Sequence, residues 1–130
     1  MHAFSRGLGV LAVVLAVSGC SRAAAVAETG DRNFISSAEI RSSNVTSAYD
    51  VIAKLRAHYL RSRGPNSIML RQQAYATVFL DDTEFGAIST LRSIAASSVS
   101  EIRFLEGSAA TTQFGSKYVA GVIQVFTLVR

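Results

Sequence analysis

Cysteine occurs once in these 130 residues, at Cys20, and histidine twice, at His2 and His58. A lone cysteine excludes a disulfide within the chain, and His58 has no second histidine or cysteine beside it from which to build a metal site. Charge is sparse as well. Lysine and arginine total 13 against 9 acids, a net charge of +4, which falls short of the basic footprint of a nucleic-acid binder. The apolar stretch from Leu8 to Val17 is shorter than the roughly 20 residues that a membrane-spanning helix needs. No nucleophile and base stand at a recognisable catalytic spacing, and no internal repeat is visible. These absences turn the reading away from an enzyme and towards a small binding module.

The N-terminus carries the strongest local signal. A weakly positive start (His2, Arg6), the apolar stretch from Leu8 to Val17 and a small-residue end make an export signal over residues 1–19. Val17-Ser18-Gly19-Cys20 resembles the lipobox of bacterial lipoproteins, in which an aliphatic residue and two small ones precede a cysteine that receives the lipid. That resemblance implies cleavage before Cys20, acylation of its thiol and a membrane anchor, since each buried methylene contributes ~0.8 kcal/mol. Ser21, in place of an aspartate, implies sorting to the outer membrane. The alternative is ordinary cleavage after Ala25-Val26-Ala27, which would discard the cysteine. Removal of residues 1–19 leaves 111 residues carrying 12 basic and 9 acidic side chains, enough for one small domain. Residues 20–33, small and polar without apolar period, read as a flexible tether, and residues 34–130 as the domain.

Within that domain Ser36-Ser37-Ala38-Glu39 is a capping box opening a short helix to about Arg41. From Ser47, Ala48, Val51, Ile52, Leu55 and Tyr59 fall at helical spacing on one face, with Asp50 and Lys54 paired on the exposed side. That helix is expected to end before Gly64-Pro65. Asn66 to Ala74 reads as a loop or edge strand. Tyr75 to Leu80 reads as a strand closed by the acidic turn Asp81-Asp82, and Phe85, Ile88, Leu91 and Ile94 predict a short helix. Val99 to Leu105 alternates as a strand, with Ile102 and Phe104 facing one way and Arg103 and Leu105 the other. Ser108 is expected to cap helical turns through Phe114, ended by Gly115. Gly121 to Val129, apolar on both faces apart from Gln124 and Thr127, is expected mid-sheet. The resulting fold class is α/β (α+β), with helices packed on a small sheet.

From Val78 to Thr127 the chain resembles the plug domain of TonB-dependent outer-membrane receptors. The motifs that carry this are Val78-Phe79-Leu80-Asp81, the strand from Val99 running into Gly107-Ser108-Ala109-Ala110, the pair Phe114-Gly115, and Ala120-Gly121-Val122-Ile123 leading to Thr127. Asp82 stands where the family has a turn glycine, and no proline follows Gly107. The resemblance implies a small mixed sheet and gives Asp81, Gly107, Ser108, Phe114, Gly115 and Gly121 structural roles. It implies no catalytic group, metal or cofactor. It also implies contact with an outer-membrane barrel or another envelope protein at the periplasmic face. Barrel strands of roughly 9 to 11 residues each do not follow Thr127, so transport by this chain alone is not expected.

Two further groups bear on function. Arg41, Lys54, Arg56, Arg61, Arg63 and Arg71 concentrate the positive charge; they read either as a solvated face or, through Arg61, Arg63 and Arg71, as contacts for an anionic ligand or lipid headgroup. Asp81, Asp82 and Glu84 form an acidic group that reads as turn chemistry. A calcium site would require further oxygen ligands.

Overall fold

The computed structural model describes residues 31–64 and 74–128. Cys20, Arg71, the export segment and all but the last residues of the tether lie outside them. So does the expected loop or edge strand from Asn66, apart from Ala74.

The described residues form a five-stranded mixed sheet of β1 (Phe34–Ile35), β2 (Thr77–Leu80), β3 (Thr83–Gly86), β4 (Val99–Leu105) and β5 (Val122–Thr127), in the order β1-β4-β5-β2-β3. The helices α1 (Ser37–Ser43), α2 (Ala48–Leu55) and α3 (Gly107–Phe114) pack on it, with short 3₁₀ turns between elements. The small α/β class expected from the sequence is what the chain forms. β5 is central, antiparallel to β4 and parallel to β2, because its side chains are apolar on both faces and need cover on both sides.

Register fixes which side chains share a face. Ile35 pairs with Ile102, Ile102 with Val125, Phe104 with Ile123 and Val78 with Ile123. These residues join Ile40, Val51, Ile52, Tyr59, Leu91 and Ile94 in the main core under α1 and α2. On the opposite face, Phe79 and Val122 pack with Ala110, Tyr118, Leu105 and Phe114 beneath α3. The two clusters make the sheet the middle layer along part of its length.

Local signals set the helix ends. The Ser36 hydroxyl accepts from the Glu39 N–H at 3.3 Å, and the Glu39 carboxylate accepts from the Ser36 N–H at 2.9 Å. That backbone donor and the neighbouring Arg56 hold the Glu39 carboxyl below its usual range, outweighing its burial. α2 opens on Ser47, whose hydroxyl accepts from the Asp50 N–H and donates to the Asp50 carboxylate at 2.7 Å. The expected Asp50–Lys54 pair therefore does not form. Lys54 Nζ instead donates to the Ser43 carbonyl at 2.7 Å, at the C-terminal end of α1 where a cation is favoured.

Four expectations need correction. The helix through Tyr59 is broken at Arg56 (φ −142°, ψ 53°), and Tyr59 sits on a 3₁₀ turn, Ala57–Leu60. The expected helix from Phe85 is instead β3 followed by a 3₁₀ segment, Ile88–Ser93. A three-residue spacing of Ile88, Leu91 and Ile94 suits the 3.0 residues per turn of a 3₁₀ helix better than α geometry. Ser108 is not the cap of α3: the cap is Glu106, without a side-chain bond, and the Ser108 carbonyl accepts from both the Thr111 and Thr112 hydroxyls at 2.9 Å. Finally, β1 was not expected. Phe34 and Ile35 pair with β4, and Asp31 to Asn33, read as the end of the tether, turn into it through Phe34 N–H to Asp31 O at 2.9 Å and Phe104 N–H to Asn33 O at 2.8 Å.

Candidate functional site

The residues singled out by the plug resemblance are structural in their surroundings. Asp81 and Asp82 both have positive φ, 46° and 65°, and form the two-residue turn between β2 and β3, the mirror-image geometry that matches strand twist. Asp82 thus adopts the backbone conformation that a turn glycine would take. The Asp81 carboxylate accepts from the Thr127 N–H at 2.8 Å and the Thr127 hydroxyl at 2.6 Å, and these bonds lower its pKa. Gly107 and Gly121 stand at close backbone approaches: an added Cβ would lie 2.0 Å from the Val119 carbonyl oxygen and 2.7 Å from that of Leu105, respectively. Gly115 ends α3 at φ 104°. Phe114 packs on Phe79 with ring centroids 4.6 Å apart.

Glu84 is likewise engaged, accepting from Lys117 Nζ at 2.7 Å and from the Tyr118 hydroxyl at 2.8 Å. These bonds, Lys117 first, pull its pKa down. The three acids of the acidic group therefore join β2 and β3 to the segment from Lys117 to Thr127. Among the described residues no group of three or more His, Cys, Asp or Glu could hold a metal ion, and no helix is long and apolar enough to cross a membrane.

Two surface arrangements among the described residues are candidates for binding. The first is an open groove of ≈ 680 Å³ on the sheet face away from α1 and α2. Register brings Phe34, Arg103 and Gln124 into one row, with Glu101 beside Phe126 in the next. Arg103 pairs with Glu101 at 2.6 Å, and its guanidinium lies 5.9 Å from the Phe34 ring and 5.4 Å from that of Phe126. Gln124 is only 5% exposed and satisfies its amide by donating to Asp82 Oδ1 at 3.1 Å. In the sequence Gln124 is only a polar interruption of an apolar strand. The alternation of Arg103 against Ile102 and Phe104 was the available signal for the rest.

The second is a pocket of ≈ 280 Å³ lined by Arg32, His58, Arg61, Ser62, Arg63 and Glu106. It gathers Arg61 and Arg63 and adds Arg32 and His58, which the sequence did not connect to them. His58 is partly buried against Tyr59, with ring centroids 4.7 Å apart. Burial, then the nearby charges of Arg32, Arg63 and Arg56, depress its pKa, against a hydrogen bond to the Arg32 backbone. The other members of the run go elsewhere: Arg56 pairs with Glu39 at 3.0 Å, Lys54 with α1, and Arg41 is exposed. Compared with family models, curated proteins and solved structures, the chain shows no match.

Proposed function

We propose that this protein is a plug-like interaction module, lipid-anchored through Cys20 at the periplasmic face of the outer membrane, which binds rather than catalyses. On this reading its partner is the periplasmic portion of an outer-membrane barrel protein, and the chain is no transporter by itself. The observation that carries the docking half is the asymmetry of the sheet. One face is closed by α1 and α2, while the other is covered by α3 at one end and elsewhere presents Phe34, Glu101, Arg103 and Phe126 around an open groove. Arginine and aromatic side chains are enriched at protein interfaces, and here they hold one another in place. The anchor half rests on the lipobox resemblance of Val17 to Cys20.

The test is a photo-crosslinking side chain placed in intact cells at Gln113, on the groove, and at Ala53, exposed on α2. A discrete adduct with an outer-membrane protein from position 113, lost on Arg103→Glu, is expected. Adducts from position 53 alone, or none from 113, would count against docking through this face.

A further inference from the structure

Arg32, Arg61 and Arg63 border the small pocket beside the start of β1, and Glu106 is the one acid that lines it with them. Arg32 arrives from the turn before β1, Arg61 and Arg63 from the segment after the 3₁₀ turn of Ala57–Leu60, and His58 from that turn itself. Each backbone is fixed. The Tyr59 hydroxyl donates to the Arg32 carbonyl at 2.8 Å, the Arg63 N–H donates to the Ala74 carbonyl and the Ala74 N–H to the Gly64 carbonyl, both at 2.8 Å. The Arg63 guanidinium lies 4.9 Å from the Phe104 ring centroid.

The ion pairs among the described residues are Arg56–Glu39, Arg103–Glu101 and Lys117–Glu84. None uses Arg32, Arg61 or Arg63. Like charges brought together without a bonded carboxylate repel one another, and a bound anion removes that cost. Burial first, and then the charges of Arg32, Arg63 and Arg56, lower the pKa of His58 beside them.

We infer that this pocket binds a phosphate group, held by Arg32, Arg61 and Arg63 with His58 at its wall. Guanidinium forks match phosphate oxygens with paired, charge-assisted hydrogen bonds, and a pocket of ≈ 280 Å³ suits one compact anionic head rather than a polymer. The source of that phosphate rests on the anchor reading. Arg32 lies 12 positions after Cys20, and a chain of that length reaches at most about 43 Å. An anchored Cys20 would therefore keep the pocket close to phospholipid headgroups.

Binding is measured on the chain purified in detergent, with no dependence on whether Cys20 is acylated, by thermal unfolding and by the ring-proton NMR signals of His58. The probes are inorganic phosphate and dihexanoyl phosphatidylglycerol below its micellar concentration, each against chloride at equal ionic strength. Expected are a raised unfolding midpoint and a saturable shift of the His58 signals. The double variant Arg32→Gln/Arg61→Gln, which leaves Arg63 on Phe104, should bind at least about tenfold more weakly, consistent with losing about 1.4 kcal/mol or more of charge-assisted bonding. Response to both probes supports a headgroup source. Response to inorganic phosphate alone supports the site and overturns the headgroup as its source. Unmoved His58 signals, or equal binding by the double variant, would overturn the site itself while leaving the anchor and the docking face untouched.

Discussion

Gly107→Ala is expected to destabilise the domain by about 3 kcal/mol, at the upper end of what overpacking costs. Helix propensity taken alone gives the opposite sign, since alanine in a helix is favoured over glycine by about 1 kcal/mol, and Gly107 is the first residue of α3. Its φ is not in the left-handed region, so conformational strain plays no part. Space decides. The new methyl would sit 2.0 Å from the Val119 carbonyl oxygen and 2.9 Å from the carbonyl carbon, both backbone atoms that no rotamer change can move aside. α3 or the segment leading to β5 would have to shift, and the packing of Ala110 and Phe114 on Phe79 and Val122 with it. Gly115→Ala is the useful comparison: nothing lies within 4 Å of its added Cβ, so its cost is strain at φ 104°, about 2 kcal/mol. Urea unfolding of both variants measures the difference. A neutral or stabilising Gly107→Ala would show that the approach of α3 to Val119 is looser than described.

Tyr59→Ala should cost about 4 kcal/mol, as removal of a buried aromatic ring does, whereas Tyr59→Phe should cost about 1 kcal/mol, as loss of one hydrogen bond does. Tyr59 is fully buried and stacks on Phe104 with centroids 4.7 Å apart and ring planes 15° from parallel. Its hydroxyl reaches out of the core to the Arg32 carbonyl. Burial pushes the phenol pKa up, so the group stays protonated and keeps donating across the neutral range. The ring therefore joins the helical layer to β4, and the hydroxyl ties down the turn before β1. Equal losses for the two variants, measured by urea unfolding, would mean that the hydroxyl rather than the stacked ring is the larger contribution.

What the sequence disclosed follows from how far each signal reaches along the chain. The capping box at Ser36 and Glu39, the strand from Val99 to Leu105 and the central place of β5 were legible because patterns of two to eight residues carry them. β1 was not, since Phe34 and Ile35 are too few to show a period and become a strand only through β4. β3 was misread because Phe85 extends the three-residue spacing of Ile88, Leu91 and Ile94, although the Asp81-Asp82 turn sends it back along β2. That turn was recognised as a turn; its left-handed geometry was hidden because Asp82 holds it without glycine. The binding candidates needed the fold. Arg61 and Arg63 stand out as charge, but their neighbours Arg32 and Glu106 come from the turn before β1 and from the end of β4, and the row of Phe34, Arg103 and Gln124 exists only through strand register.

Mass spectrometry of the mature N-terminus from fractionated envelopes decides whether the domain is tethered to the outer membrane through its one cysteine. Expected are a chain beginning at Cys20, carrying acyl chains and recovered with the outer membrane, and a Cys20→Ser variant that is not. A chain beginning at Glu28 and recovered in the soluble periplasmic fraction would contradict the anchor.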